Sequence, residues 1–336
     1  MHSNRGSLVF AVAKEISIIP PPQLARIGFG GLPVTITAAG ERASKRFIEF
    51  FTANIRNKNT RMAYARAVAP FFAWCEECDL ELSQLQPSIV AAYIERLQET
   101  HATPSVKQHL AALRMLFDYL VVGQVLPMNP AAAVRGPKYT VKRGKTPVLT
   151  AEQARALLDS INIDTVVGLR DRALIGVMVY SFARVGAVVR MRVEDYYQNG
   201  KRWWLRLHEK GGKRHEVPAH HNAEAYVDAY LESAGIGREK KSPLFRTIDR
   251  RREPTENSMH RVDVLRMIKR RAKGAGLPAS TCCHTFRATG ITAYLENGGT
   301  IENAQAIAAH ESPRTTKLYD RTNDEITLDE VERIMI

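Results

Sequence analysis

A histidine and a tyrosine stand nine positions apart near the end of the chain, His310 and Tyr319, in the segment AAHESPRTTKLYDR. A phenol is a poor nucleophile at neutral pH, because its pKa in model peptides is about 10. It reacts when cationic neighbours stabilise the phenolate and another group accepts the proton. Ser312 and Pro313 suit a helix cap and a first helical position, so we expect Tyr319 to stand on a short helix. The segment therefore indicates a tyrosine nucleophile, provided that cations meet it in the fold.

Two arginines and a second histidine could supply that environment. Arg184 follows the apolar run ALIGVMVYSFA and precedes Gly186, so it lies at a turn between two buried helices, where a charge needs a partner or an anion. Its planar guanidinium grips two phosphate oxygens and does not lose its proton. His284 and Arg287, in CCHTFRATG, are three apart and share one face near the start of a helix, which also favours an anion. These residue types indicate phosphate chemistry.

A lysine completes the set. The segment WWLRLHEKGGKRHEVP alternates like a strand, turns at Gly211 and Gly212, and then alternates again. Lys210 is therefore expected at the tip of a hairpin. Lys213 and Arg214 lie close to the same tip, and either could serve as the catalytic cation in place of Lys210. Each of these residues alone has a structural explanation, as a packed aromatic, a buried histidine or an ion pair under a basic surface.

Helical periodicity and turn residues predict the elements that position these side chains. Residues 1–40 resemble an N-terminal arm, 41–132 a four-helix unit, and 133–148 a basic linker. Thr150 and Gln153 fit a capping box that opens a second unit, residues 149–324. Residues 325–336 form an amphipathic tail helix by the spacing of Leu328, Val331 and Ile334. We therefore expect a mainly α chain with a small antiparallel sheet in the second unit.

Charge points to nucleic acid as the partner. The formal net charge is +13 and the pI about 9.7, and residues 238–273 carry 13 Lys or Arg against 5 Asp or Glu. A phosphate-facing surface accounts for this excess, although a solvated face would also show it. Candidates for DNA contacts in the linker and hairpin are Lys138, Lys142, Arg143, Lys145, Lys213 and Arg214.

Cysteine usage and hydropathy narrow the setting. The four cysteines form neither a disulfide framework nor a paired CxxC zinc site, so we expect a reduced protein without metal or other cofactor. The N-terminal run LVFAVAKEISIIPPP contains Lys14 and Glu15, which argues against a membrane span or a signal peptide. A cytoplasmic location without membrane attachment is the prediction.

The ordered set Arg184, Lys210, His284, Arg287, His310 and Tyr319 resembles that of the tyrosine recombinases of the phage integrase family, and we expect a mobile-element type. The resemblance runs from about residue 42 to 323. It implies a helical, SAM-like core-binding domain followed by an α+β catalytic domain with a small antiparallel sheet.

The resemblance also implies a mechanism and partners. Tyr319 would attack a DNA phosphodiester, leaving a 3′-phosphotyrosyl link and a free 5′-hydroxyl, without metal or ATP. Arg184 and Arg287 would bind the non-bridging oxygens and His310 would add a hydrogen bond. Lys210 would protonate the leaving oxygen, and His284 would help to take the tyrosine proton. Double-stranded DNA with inverted-repeat core sites is the implied partner, bound by a tetramer that is a monomer or weak oligomer when free.

The sequence departs from the family pattern at three places. Ala187 stands where members usually carry an acidic residue three positions after the arginine, and Ala288 where a second histidine often follows HxxR. Asp320 and Arg321 follow the tyrosine in place of a small residue and a histidine. The residues that support the catalytic set are therefore expected to be arranged differently.

Two other functions use the same features. A non-catalytic DNA-binding regulator could place helices around 284–297 and 301–309 as a helix-turn-helix, and it would not need Tyr319. A topoisomerase could relax DNA through the same phosphotyrosine chemistry. The core-binding helices and the tail favour site-specific recombination.

Overall fold

The computed structural model describes residues 31–141, 144–209, 212–320 and 332, and it divides the chain into two compact units. One unit is Met1–Thr140 and the other Val141–Ile336. The expectation of a mainly helical chain with an N-terminal helical unit and a second unit containing a small antiparallel sheet is confirmed. The predicted tail helix at 325–336 lies outside the described residues, apart from Glu332.

The first unit consists of helices around an aromatic core. Six phenylalanines, fully buried or nearly so, pack mostly edge-on against one another, which is the arrangement that ring quadrupoles favour. Helix starts and ends follow the expected local chemistry: Asn57 caps a long helix, Pro87 opens the next, and Gly123 ends the last. The helices are α1 Val34–Ala38, α2 Glu41–Glu49 with a π-helical turn Phe50–Asn54, α3 Lys58–Glu77, α4 Pro87–Thr100 and α5 Thr103–Val122.

Helix α1 differs from the arm that composition indicates for residues 1–40. Its Ile36 is fully buried in the core of the first unit, and the backbone N–H of Val34 donates to Glu76. The stretch is only five residues long and follows Pro33, so periodicity has too few positions to reveal it. The globular part of the unit therefore includes residues that the sequence places in the arm.

The second unit combines eight helices with two antiparallel sheets within the described ranges. Its helices are α6 Ala151–Asp159, α7 Val166–Tyr180, α8 Val185–Val188, α9 His221–Ala234, α10 Arg261–Gly274, α11 Cys283–Glu296, α12 Ile301–Ile307 and α13 Pro313–Lys317. One sheet has the order β1 Tyr196–Asn199, β2 Arg202–His208 and β3 Arg214–Pro218, and the other pairs β4 Arg246–Ile248 with β5 Pro254–Ser258. Thr150 and Gln153 form the predicted capping box.

The second sheet was not predicted. Its strands are short and lie in the charge-dense segment, where Arg246, Thr255 and Glu256 give no alternation of apolar and polar residues. Backbone pairing and packing of neighbouring elements decide the strand state there.

Helix α7 is the centre of the second core, and α11 packs closely against its end. Gly290 permits this contact, because a Cβ at that position would lie 2.1 Å from the carbonyl oxygen of Val179 and 2.8 Å from the ring of Phe182. The close approach places the HxxR helix beside the turn that follows α7. Both predicted arginines are positioned by these two helices.

Candidate active site

Arg184 occupies the N-cap position of α8, and its side chain binds a carboxylate that follows β2. Its side chain is 36% exposed, and Nη1 donates to Oε2 of Glu209 at 2.6 Å. Glu209 follows β2 and its side chain is only 4% exposed. In the described part of the chain the Arg184 guanidinium makes no other hydrogen bond, so donors remain to face an anion.

Arg287 lies in the second turn of α11 and is the largest fully buried side chain among the described residues. Its two Nη atoms donate to backbone carbonyls, that of Phe182 and, at 2.6 Å, that of Ala308. Nε is buried without a partner among the described residues. Burial, followed by the positive charge of Arg184, lowers the pKa of Arg287 to about 10. The side chain is still a cation at neutral pH, and carbonyls rather than carboxylates hold it.

The backbone segments whose carbonyls bind Arg287 include two residues with left-handed conformation. Phe182 and Ala309 have φ of 54° and 48°, in the left-handed region that residues with a Cβ seldom adopt. Phe182 offers its own carbonyl to Arg287, and Ala309 follows the second acceptor, Ala308. Each such residue costs about 1 to 2 kcal/mol. The fold thus retains local strain where it holds this arginine.

His310 and Tyr319 form a stacked pair. Their ring centroids are 5.7 Å apart and their planes differ by 12°. His310 is buried, and its Nδ1 lies 2.9 Å from the hydroxyl of Thr316. Burial and the positive charges of Arg287 and Arg184 lower the pKa of His310 to about 3, with a smaller effect from His284. His310 is therefore neutral at physiological pH.

Tyr319 does not stand on the short helix, contrary to expectation. Ser312 caps α13 and Pro313 opens it as predicted, but the helix ends at Lys317. Side-chain and backbone hydrogen bonds hold the residues beyond it: Thr292 donates to the Tyr319 carbonyl at 2.8 Å, and the Gly144 N–H donates to the Leu318 carbonyl at 2.9 Å. The backbone of Tyr319 is fixed outside the helix and places the phenol beside Arg287. The phenol acts to raise the pKa of Arg287, against the larger lowering by burial and by Arg184.

His284 completes the cluster. It stands near the start of α11, partly open to solvent and partly surrounded by protein atoms. This partial burial, then the charges of Arg287 and Arg184, lower the pKa of His284, so it is also neutral at pH 7. The structure thus brings together five of the six predicted catalytic residues, and the two histidines can accept or donate a proton or a hydrogen bond.

The remaining predicted site residues are described only in part. Lys210, Lys142 and Arg143 lie outside the described residues. The other candidates for DNA contacts are exposed: Lys138, Lys145, Lys213 and Arg214. These side chains are accessible to DNA, and their contact with it stays a prediction.

Two polar partners escaped the sequence reasoning, Glu209 and Thr316. In HEKGGK the glutamate looks like an exposed residue of a hairpin tip, and its position beside Lys210 was the available signal. Thr316 faces His310 because both lie within one turn-helix segment, six residues apart. Among the described residues, no group of three His, Cys, Asp or Glu side chains is arranged to hold a metal ion. No described helix has the length and apolar character needed to cross a membrane.

Comparison with known proteins gives concordant results. The model of the phage integrase family matches residues 147–325, and that of the phage integrase N-terminal SAM-like domain matches residues 44–125. Tyrosine recombinase XerC of Chlamydia muridarum is 29% identical over 230 residues, which cover 67% of this chain and 69% of the relative. Tyrosine recombinase XerD of Chlorobaculum tepidum is 25% identical over 269 residues, 78% and 85% of the two chains.

Solved structures share the fold at lower identity. XerH site-specific recombinase in a post-cleavage complex with palindromic difH substrate has a TM-score of 0.68 at 16% identity, covering 87% of this chain and 96% of the other. A lambda integrase tetramer bound to a Holliday junction has a TM-score of 0.63 at 19% identity, covering 84% and 79%.

Proposed function

The chain belongs to the phage integrase family of tyrosine recombinases, and on this premise we propose that it recombines DNA at specific sites with Tyr319 as the nucleophile. The observation that carries the proposal is the meeting of Tyr319 with a buried arginine that has no carboxylate partner among the described residues. Phosphoryl transfer requires such charge at the oxygens that become more negative in the transition state. The Tyr319 oxygen forms a bond to phosphorus while the bond from phosphorus to the 5′-oxygen breaks.

Arg184 and Arg287 bind the non-bridging oxygens in this scheme. Arg287 is held by its carbonyl acceptors, whereas Arg184 is partly exposed and close enough for its charge to lower the pKa of both Arg287 and His310. His310 is neutral, and in the tautomer whose Nδ1 accepts a hydrogen bond from the Thr316 hydroxyl, Nε2 carries the hydrogen and donates it in a hydrogen bond to a phosphate oxygen. The three side chains together stabilise the charge of the transition state.

Two residues move protons in the proposed step. Neutral His284 accepts the proton of Tyr319, and general base catalysis of this kind contributes about 100- to 10,000-fold. Lys210 protonates the departing 5′-oxygen, which gives a free 5′-hydroxyl and a 3′-phosphotyrosyl link. The hydroxyl of a second strand then attacks the link and releases Tyr319. One phosphodiester replaces another, so the scheme uses neither ATP nor a metal ion.

The organisation proposed for the chain follows the sequence expectations. Residues 41–132 bind the core site, the linker and hairpin lysines and arginines contact phosphates, and 149–324 carry out the chemistry. The partner is double-stranded DNA with inverted repeats, joined by four copies of the protein on two sites. Support comes from the lambda integrase tetramer on a Holliday junction, which shares the fold. A mobile element in the cytoplasm of a cell is the proposed setting.

The first experiment asks for the covalent link. Wild-type protein and Tyr319→Phe are incubated with labelled, nicked duplexes from the DNA that flanks the gene, and with a nicked random-sequence library, followed by denaturing electrophoresis. We expect a protease-sensitive adduct with wild type and none with Tyr319→Phe, since the phenylalanine ring lacks the attacking oxygen. Sequencing the captured DNA identifies the site.

An adduct that persists in Tyr319→Phe would refute this nucleophile. Specific binding to inverted repeats with no adduct in wild type would favour the DNA-binding regulator instead.

A further inference from the structure

The acidic residue that resembles the family pattern, three positions after the first arginine, is missing in this chain. Ala187 stands three residues after Arg184, and it is 1% exposed within the apolar core of the second unit. An alanine at that position has no carboxylate to offer Arg184. The structure supplies one from a different element, Glu209 at the end of β2.

Glu209 also closes the base of the hairpin. Its backbone N–H donates to the carbonyl of Lys213 at 2.8 Å, one step beyond the last pair of the ladder, His208 with Arg214. The residue that binds Arg184 is therefore also paired through its backbone with the segment that leads into β3. Main chain and side chain of one residue connect the hairpin to the arginine.

We propose that Glu209 is a positioning residue for strand cleavage, which takes the place of a carboxylate at position 187 by orienting Arg184 from the hairpin. This inference rests on the proposed function. The carboxylate accepts one Nη1 bond at 2.6 Å and leaves the other Arg184 donors for phosphate.

Burial explains why the contact is informative. A carboxylate that is 96% buried, by its exposure of 4%, is retained only when a cation or several donors satisfy it, and Arg184 is that cation. Arg184 itself is 36% exposed and could turn toward water if the carboxylate were absent. Replacing Glu209 with a neutral residue leaves no unpaired carboxylate in the core. Its main expected effect is therefore a misplaced Arg184 side chain rather than a large loss of stability.

The test compares two glutamates of the same sheet. Glu209→Gln keeps the size of the side chain and removes its charge. Glu216→Gln is the matched control, because Glu216 on β3 also binds an arginine, Arg206, at 2.7 Å, but it lies outside the catalytic cluster. Single-turnover formation of the covalent adduct is measured with full-length protein and the nicked duplex that wild type cleaves.

We expect Glu209→Gln to form the adduct about 10- to 100-fold more slowly, the usual effect of losing a group that orients a charged catalytic residue. Glu216→Gln should stay within about twofold of wild type, as for other exposed ion pairs. Thermal unfolding of all three proteins shows whether Glu209→Gln is folded. A Glu209→Gln protein that is folded and reacts at the rate of wild type would overturn the inference.

Two further measurements separate positioning of Arg184 from a general structural role. In a double-mutant cycle, Arg184→Ala with Glu209→Gln should be no slower than Arg184→Ala alone, because the glutamate acts through the arginine. A methylphosphonate at the scissile position carries no charge on its non-bridging oxygen, so the difference between wild type and Glu209→Gln should shrink. Additive losses in the cycle, or an unchanged difference with the methylphosphonate, would contradict the proposal.

Failure of the inference is distinguishable from failure of the proposed function. If wild type forms no adduct on any duplex, the recombinase assignment fails first. If wild type forms the adduct and Tyr319→Phe does not, the function stands, and the behaviour of Glu209→Gln decides the inference alone.

Discussion

The second unit buries two groups of arginines in opposite ways. In one, Asp171 is fully buried and each carboxylate oxygen accepts two N–H donors, Oδ1 from Arg170 and Oδ2 from Arg271, at 2.7 to 3.1 Å. In the other, Arg287 is equally buried, but its two Nη atoms donate to carbonyl oxygens and its Nε has no partner among the described residues. The first group is closed by its own carboxylate. The second retains a cation that protein dipoles orient and only an external anion can neutralise.

The difference separates structural from chemical use of the same side chain. A buried ion pair with complete hydrogen bonding fixes the packing of α7 and α10 and has no capacity left for a ligand. A buried cation held by carbonyls keeps its positive charge inside the site. After burial itself, the charges of Arg287 and Arg184 lower the pKa of His310. Partner chemistry, rather than burial, therefore distinguishes the two.

The largest expected effect is on Arg287. Arg287→Met should slow adduct formation by about 10³ to 10⁵, the range found for arginines that stabilise phosphoryl transfer. The free energy of unfolding should change by less than about 2 kcal/mol, because removal of a buried charge offsets the lost carbonyl bonds. Single-turnover kinetics and urea unfolding measure both. A large loss of stability together with a small loss of rate would erase the distinction.

The reverse behaviour is expected at Asp171. Asp171→Asn leaves Arg170 and Arg271 without their carboxylate and should lower the free energy of unfolding by about 3 to 5 kcal/mol. Adduct formation per folded molecule should remain within about twofold of wild type, as expected for an independent distant site. The comparison uses urea unfolding and the fraction of active protein at low temperature. If the folded variant were inactive, the Asp171 group would belong to the site.

A smaller effect distinguishes the two regions by pH. The pKa of His310 is about 3 when folded and about 6.5 when unfolded, so the unfolded chain binds the proton first as pH falls. The stability contributed by the neutral ring is present above about pH 6.5 and is lost progressively toward pH 3. Wild type should lose about 2 kcal/mol more between pH 7 and pH 5 than His310→Gln.

Urea unfolding at the two pH values measures that difference. Arg287→Met is the control, because removing the neighbouring charge raises the pKa of His310 and should reduce the loss. Equal pH dependence in wild type and His310→Gln would show that the ring is not held neutral by this cluster.

The sequence revealed the chemistry more completely than the supporting structure. The HxxR spacing and the position of Arg184 at a turn between two helices could be predicted, because helix periodicity and turns place side chains locally. The partner of Arg184 was not readable, since Glu209 reaches it across 25 positions by folding of the sheet onto α8. Likewise Phe182 and Ala309 adopt left-handed backbone without a glycine signal, because tertiary contacts impose it.

Local rules also failed where tertiary contacts decide. Ser312 and Pro313 correctly predict the start of α13, yet nothing in the sequence ends the helix before Tyr319. Thr292 and Gly144, both distant in sequence, hold that segment in place. Strands β4 and β5 and helix α1 cannot be predicted from the sequence either, because each has too few residues to show a periodic pattern.

The hydrogen bond from Gly144 to Leu318 has a mechanical consequence. It joins the end of the linker segment to Leu318, the residue before Tyr319. A force that displaces residues 144–146 therefore also acts on the backbone of the Tyr319 segment. The bond from Thr292 to the Tyr319 carbonyl is the opposing anchor. A force on that segment therefore reaches the Tyr319 backbone through the Gly144 bond and is resisted by the Thr292 bond.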